Sequence, residues 1–153
     1  MLRIAAVLFL LAFPARADDI TGKVRIIDGD TLEVGGKRIR LHGIDAPERK
    51  QTCTADGKEW RCGEEATFAL AYETAEHWLT CKEKDRDLYR RIVAVCFMGT
   101  HDLNAMMVRQ GWALAYRRYS MDYVDEESEA QKAGVGLWRG EFVPPWEWRK
   151  GKR

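Results

Sequence analysis

Apolar and polar residues alternate with a period of two through the first part of the chain. Residues 20–27 alternate in this way and predict a β-strand. Residues 31–34 and 37–44 flank the pair Gly35 and Gly36, which predicts a β-hairpin because glycine adopts the positive φ that a short turn needs. Short strands therefore dominate this part of the chain.

Helical spacing replaces the alternation after a charged loop over residues 45–61. Residues 63–79 carry apolar side chains at helical intervals and predict a first helix. Asp102 can cap a second helix that ends at Gly111, and residues 122–133 predict a third. With two more strands between the first two helices, the pattern predicts an α+β domain: a small five-stranded barrel with about three packed helices.

The first 17 residues have the organisation of a secretory signal peptide. A basic start at Arg3 precedes an apolar run over residues 4–13, and residues 15–17 form a small-x-small cleavage site. A buried N-terminal helix is the alternative. We expect cleavage to leave residues 18–153 as a single domain, exported to the periplasm or the medium. That part contains no apolar run of membrane-spanning length, so we expect no membrane attachment after cleavage. We also expect a monomer.

The charge of the mature chain would be close to neutral. Loss of the leader removes Arg3 and Arg16, leaving 23 of the 25 lysines and arginines against 24 acidic residues, a net charge of −1. Nucleic-acid-binding proteins usually carry a basic surplus, so bulk charge does not favour that class. Any attraction to phosphate must therefore be local.

The four cysteines predict two disulfides, because an exported chain meets an oxidising environment. Folding residues 82–95 as a hairpin centred on positions 88 and 89 places Cys81 opposite Cys96. Cys53 and Cys62 then close a short loop. A zinc site is the rival interpretation, but the sequence has no Cys-x-x-Cys pair and its three histidines are scattered.

Three carboxylates and two arginines lie on predicted strands and turns. Asp30 belongs to an Asp-Gly-Asp-Thr segment, Asp45 and Glu48 to an Asp-Ala-Pro-Glu segment, and Arg40 lies between them. Arg91 follows a polar turn. Carboxylate oxygens bind Ca²⁺ or Mg²⁺, and a guanidinium matches two phosphate oxygens at once. This combination suits a cation held against a phosphate ester.

These residues resemble the staphylococcal-nuclease (thermonuclease) family. Residues 108–113, 129–132 and 136–138 are similar to later signatures of the same family. The resemblance covers nearly all of residues 18–153, and it implies an oligonucleotide-binding (OB) fold in a secreted nuclease. It also implies metal-dependent hydrolysis of DNA, RNA or both, leaving 3′-phosphate ends.

The resemblance also implies the metal ligands. By analogy with the family, Asp30, Asp45 and the backbone carbonyl of Ala46 would hold one cation. The family has a hydroxyl residue at position 46, and alanine suffices if only the carbonyl binds. Few protein ligands and a water-rich site suit Ca²⁺, with Mg²⁺ and Mn²⁺ as alternatives.

The remaining roles follow the same resemblance. Glu48 would be the general base or would orient the attacking water, while Arg40 and Arg91 would bind the phosphate oxygens. Tyr89 and Tyr119 would contact the substrate, because aromatic rings stack on any base. A core-packing role is the alternative for Tyr119.

Two positions depart from the family pattern. Leu88 stands where well-known members carry a phosphate-binding lysine, and Arg90 where the family more often has glycine.

The hairpin raises a separate problem, because a two-residue turn pairs Asp30 with Leu41 and sends the Arg40 side chain to the opposite face. We therefore expect a three-residue turn or a β-bulge that restores Asp30 and Arg40 to one face.

Two other function classes compete with a nuclease. The same barrel also serves as a nucleic-acid-binding module with weak or no catalysis. A structural calcium-binding protein would use the aspartates but would leave Arg40 and Arg91 unexplained.

Overall fold

The computed structural model describes residues 18–153, so the predicted signal peptide over residues 1–17 lies outside the described residues. Its strands are, in chain order, β1 (Ile20–Ile26), β2 (Thr31–Val34), β3 (Lys37–Leu41), β4 (Ile44–Asp45), β5 (Cys53–Ala55), β6 (Lys58–Trp60), β7 (Trp78–Arg86), β8 (Ile92–Met98), β9 (His101–Asp102) and β10 (Leu114–Ala115). Its helices are α1 (Cys62–Thr74), α2 (Leu103–Arg109), α3 (Val124–Ala133) and the short α4 (Pro145–Trp148), with a 3₁₀ turn at Gly136–Arg139.

Five strands close into a mixed barrel, which confirms the predicted fold class. They pair in the order β3-β2-β1-β7-β8, and a parallel pairing between β3 and β8 closes the ring. The interior is filled by fully buried apolar side chains from the strands and from α1 and α2, among them Leu32, Ile39, Leu41, Leu70, Leu79, Leu103 and Met107. The small OB-like barrel is thus a packed core that carries its loops at the surface.

The β2–β3 hairpin has a regular two-residue turn, so the expected three-residue turn or bulge is wrong. Val34 pairs with Lys37, and Gly35 and Gly36 adopt φ of 55° and 78°. The expectation failed because it treated Asp30 as a strand residue. Asp30 lies in the bend before β2, where the alternation of a strand does not fix the direction of its side chain.

The first helix is shorter than its apolar spacing predicts. It ends at Thr74, after which Ala75 is extended and Glu76 takes a left-handed φ of 63°. Trp78 and Leu79, expected on the helix, instead open β7, where Leu79 is buried in the barrel. An apolar pair at the end of a helical pattern fits either element, and the barrel contacts decide between them.

Two disulfides join the pairs that the cysteine spacing predicts. Cys81 and Cys96 lie directly opposite each other in the β7–β8 ladder, and both are fully buried. Cys53 and Cys62 link the β5–β6 hairpin, which forms inside the expected loop, to the first residue of α1. This second link fixes the segment that follows the acidic motif.

The second helix begins as predicted. The side chain of Asp102 accepts a hydrogen bond from the backbone N–H of Ala105 at 2.9 Å, which satisfies one free donor of the first turn. Within residues 18–153, no helix has the length and apolar character to cross a membrane.

Candidate active site

A cleft of about 850 Å³ collects the residues that the sequence marks for chemistry. The bend before β2, strand β3, the segment after β4, the β7–β8 turn and Arg149, which follows the C-terminal helix, all contribute to its walls. Of the candidate residues, Asp30, Arg40, Ala46, Glu48, Tyr89, Arg91 and Tyr119 line the cleft. Asp45 does not line it, because its side chain is fully buried.

Two buried aspartates share one arginine. Asp30 is 4% exposed and Asp45 is fully buried. Arg40 donates one terminal nitrogen to Asp30 Oδ1 and the other to Asp45 Oδ1, the latter at 2.9 Å. The backbone N–H of Ala46 donates to Asp30 Oδ2 at 2.8 Å. The structure therefore brings the proposed metal ligands and the first arginine into one hydrogen-bonded cluster.

The bend before β2 is shaped by its own acidic and glycine residues. Asp28 Oδ1 accepts from the backbone N–H of Asp30 at 3.1 Å, which fixes the turn. A Cβ on Gly29 would lie 2.8 Å from the Cβ of Ala46, so only glycine allows this approach. The Asp-Gly-Asp sequence thus sets Asp30 against the Asp-Ala-Pro-Glu segment.

The site concentrates negative charge on side chains that are largely buried from solvent. Burial and the neighbouring Asp30 carboxylate raise the pKa of Asp28 to about 6. Burial and Asp30 also raise the pKa of Asp45, although hydrogen bonds from Arg149 and the charge of Arg40 oppose this. Burial alone would lower the pKa of Arg40, but Asp30 and Asp45 raise it. Positive charge is therefore favoured here, whether from arginine or from a metal ion.

Arg149 is a residue of the site that the sequence analysis did not assign. Its Nη2 donates to Asp45 Oδ2 at 2.7 Å, and its Nη1 donates to Asp45 Oδ1 at 3.0 Å and to Glu48 Oε1 at 2.7 Å. It follows α4, where Trp146 stacks on Tyr116 with ring centroids 5.3 Å apart. The only sequence feature near Arg149 was the aromatic segment before the basic end, and this feature does not predict a contact with residue 45.

Arg91 is held by the turn that precedes it. Asp87 Oδ1 accepts from the backbone N–H groups of Tyr89 and Arg91, each at 2.9 Å, and Asp87 Oδ2 accepts from Arg91 Nε at 2.6 Å. Among residues 18–153, neither terminal nitrogen of Arg91 has a hydrogen-bond partner. Arg90 takes a φ of 62°, a left-handed conformation that glycine would adopt without strain.

The aromatic candidates lie at the surface of the cleft. Tyr89 is 82% exposed and Tyr119 is 68% exposed, so neither packs in the core. Tyr116 is less accessible, because it contacts the edge of Tyr119 and stacks on Trp146. Leu88, in the turn between β7 and β8, is almost fully exposed.

The donor types at Asp30, Asp45 and Ala46 fit a hard divalent cation. Carboxylate and carbonyl oxygens are the ligands that Ca²⁺ prefers. In the part of the chain that the structure describes, no three histidine, cysteine or carboxylate side chains form a metal-binding group, so a cation here would depend on backbone and water oxygens. Arg149 binds both oxygens of Asp45, and a cation would have to share or take that position.

Comparison with known proteins gives consistent matches. The family described as Staphylococcal nuclease homologue matches residues 38–140. An uncharacterized endonuclease of Escherichia coli is 37% identical, with 97% of each chain covered. A micrococcal nuclease of Shigella flexneri is 33% identical over 97% of this chain and 91% of the relative. The succinoglycan biosynthesis protein ExoI of Rhizobium meliloti is 33% identical over 90% and 74%.

Proposed function

Because this chain belongs to the staphylococcal nuclease homologue family, we propose that it is an endonuclease that hydrolyses phosphodiester bonds of DNA, RNA or both with a divalent cation. The observation that carries the proposal is that Asp30, Arg40, Glu48 and Arg91 line one cleft, while the buried Asp45 is hydrogen-bonded to Arg40 behind it. These are the residue types that phosphoryl chemistry needs, and they come from four separate segments.

Asp30, Asp45 and the carbonyl of Ala46 would hold the cation, with Ca²⁺ as the first candidate. A bound Ca²⁺ supplies positive charge next to a phosphodiester oxygen and orients water. The chain itself supplies a rigid carboxylate pair, since Arg40 and the backbone N–H of Ala46 fix the oxygens of Asp30. Asp30 and Asp45 are buried, so their charges interact more strongly than charges at the surface do.

Glu48 is the proposed general base. Its side chain is 41% exposed and lines the cleft, where it can reach solvent water. An ionised carboxylate accepts a proton from water or orients it by a hydrogen bond. The contact with Arg149 at 2.7 Å fixes one oxygen of Glu48, which leaves the other for the attacking water.

The two arginines have different proposed roles. Arg40 gives both terminal nitrogens to Asp30 and Asp45, so its first task is to place those carboxylates. Arg91 keeps both terminal nitrogens without a partner among the described residues, and these can bind two oxygens of the phosphate as its charge increases in the transition state. Tyr89 and Tyr119 offer exposed rings on which bases can stack.

Export and the monomeric state belong to the same proposal. The two disulfides are of the kind that persists outside the cytosol, which agrees with the leader expected over residues 1–17. We therefore place the enzyme in the periplasm or the medium, acting as a monomer on nucleic acid.

A plasmid-nicking assay tests the proposal. Wild-type protein is expected to convert supercoiled plasmid to nicked and linear forms with Ca²⁺ and to stop when EDTA is added. Glu48→Gln should slow cleavage while sparing cation affinity, and Asp30→Ala should weaken cation affinity. Cleavage that continues in EDTA would contradict the metal dependence. Binding of plasmid without any cleavage would favour the binding-module alternative.

A further inference from the structure

A second cleft, of about 600 Å³, adjoins the first and carries basic side chains. We term it the basic groove, and its charged and aromatic lining consists of Lys37, Arg38, Arg86, Tyr89, Arg90 and Arg91. Tyr89 and Arg91 line both clefts, so the groove continues directly from the candidate active site. None of the described residues that line it is acidic.

Barrel closure brings these residues together from distant parts of the chain. Strand β3 runs parallel to β8 with Ile39 opposite Ile92, so the residues just before them, Arg38 and Arg91, lie side by side. The antiparallel β7–β8 ladder places Arg86 opposite Ile92. The groove is therefore a fixed feature of the sheet and does not depend on a mobile tail.

Three of the positive charges in the groove are not compensated by the protein. No ion pair between described residues involves Lys37, Arg38 or Arg90. Glu33 lies opposite Arg38 in the β2–β3 ladder, but it binds Arg25 at 2.6 Å. Residues 18–153 have 23 basic and 24 acidic residues, so this is a local positive surface on a nearly neutral chain. Such a surface attracts a polyanion to one place.

Arg90 adds an independent observation. Its φ of 62° is a left-handed conformation that glycine adopts freely and that a branched or long side chain adopts only at a cost in free energy. The chain nevertheless carries an exposed arginine at this turn. Strained residues of this kind are frequent at functional sites, and here the strained residue faces the groove with its charge uncompensated.

We propose that the basic groove is a subsite for the phosphate backbone, which holds the nucleic-acid strand beyond the bond that is cleaved. The inference rests on the proposed function and specifies its substrate: polynucleotides long enough to extend from the catalytic cleft into the groove. Lys37, Arg38 and Arg90 contact successive phosphates, and Tyr89, between the two clefts, stacks on a base. Short phosphodiesters fill only the catalytic cleft and gain nothing from the groove.

The test compares a long and a short substrate. The double variant Lys37→Gln/Arg38→Gln is assayed on a 30-nucleotide single-stranded DNA and on a nitrophenyl ester of thymidine phosphate. We expect kcat/KM on the 30-mer to fall about tenfold at low salt through a higher KM, and the ester to be cleaved as before. The slope of log kcat/KM against log salt should become shallower by about 0.7 for each phosphate that the variant no longer binds.

A charge-matched control separates local from general electrostatics. Lys23→Gln/Lys132→Gln removes the same charge from exposed positions outside both clefts and should leave both substrates unchanged. An equal loss in the control, or an equal loss on the ester, would overturn the inference. Anisotropy of the labelled 30-mer in EDTA adds a readout without cleavage. If wild type cleaves neither substrate, the proposed function fails, and the binding measurement alone decides about the groove. Weaker 30-mer binding by the groove variant than by wild type and the control would still support the groove. Equal 30-mer binding by all three proteins would overturn it.

Discussion

Arg149 binds Asp45 through both terminal nitrogens of its guanidinium, at 2.7 and 3.0 Å, across 104 positions of sequence. Asp45 is a proposed ligand of the divalent cation, and Glu48, the proposed base, accepts from the same arginine. The guanidinium therefore occupies the place of a positive charge that the cation would otherwise supply. A divalent cation at this site would therefore compete with Arg149 for one buried carboxylate.

Arg149→Gln is expected to bind Ca²⁺ more tightly than wild type. If Arg149 holds Asp45 for about nine-tenths of the time in cation-free protein, its removal lowers the apparent Kd about tenfold. Calorimetric titration with Ca²⁺ measures this directly. The same variant should melt at a lower temperature in EDTA, because a buried carboxylate loses its counter-ion.

Arg153→Gln is the control for that comparison. Arg153 lies on the same tail over the Trp148 ring, with its guanidinium carbon 4.1 Å from the ring centroid. It should change neither Ca²⁺ affinity nor melting in EDTA. Weaker Ca²⁺ binding by Arg149→Gln would show that the arginine acts together with the metal, and the competition would be refuted.

Arg91→Ala is expected to reduce kcat by about 10² to 10³, the usual loss for one transition-state donor. Arg90→Gly should keep activity on a short phosphodiester and should raise the free energy of unfolding, by up to about 1 kcal/mol, since glycine accepts the left-handed φ of 62°. Steady-state kinetics and urea unfolding measure the two effects. Activity that survives the first change and disappears with the second would assign the phosphate contact to Arg90.

Arg40→Ala should destabilise the fold as well as abolish activity. It removes the partner of two buried carboxylates, a loss that typically costs about 3 to 5 kcal/mol. Arg25→Ala removes an arginine from an exposed pair with Glu33 and should change stability little. Urea unfolding in EDTA makes the comparison. Equal stability of the two variants would mean that Arg40 is not the structural counter-ion of the aspartates.

Asp87→Ala should lower kcat about tenfold without changing Ca²⁺ affinity, because Asp87 fixes the turn and the Arg91 guanidinium. Partial burial works against ionisation, but hydrogen bonds from Arg91 hold the pKa of Asp87 below its ordinary value. Its stabilisation is therefore present above about pH 3.9 and is lost as pH falls through the lowered pKa. For this partly exposed group the effect on unfolding should stay well under about 1 kcal/mol. A fall in Ca²⁺ affinity would contradict a positioning role.

The double variant Cys81→Ala/Cys96→Ala should lose about 3 kcal/mol of stability, the chain-entropy value for a loop of this length. The two cysteines face each other across the longest ladder of the barrel, so their loss also loosens the strands next to Arg91. Urea unfolding and peptide mapping without reductant are the measurements. A peptide that joins Cys53 to Cys81 would contradict the pairing.

Local rules account for much of the fold. The Asp102 cap, the Gly35-Gly36 turn and the pairing of Cys81 with Cys96 each depend on residues close in sequence or mirrored about one turn. The end of the first helix was harder to predict from the sequence, because Leu79 fits the end of a helix as well as the start of β7. Only its burial in the barrel selects the strand.

The sequence by itself determined which residues are the main candidates for chemistry, because their carboxylate and guanidinium groups recur in short segments predicted to be strands and turns. Only the tertiary structure decided how they meet. Asp30 reaches Arg40 through a bend that strand alternation does not describe, and Arg149 reaches Asp45 because α4 packs its tryptophan on Tyr116. Such contacts depend on the closure of the barrel and the path of the chain around it, and no periodicity within a segment of sequence records either.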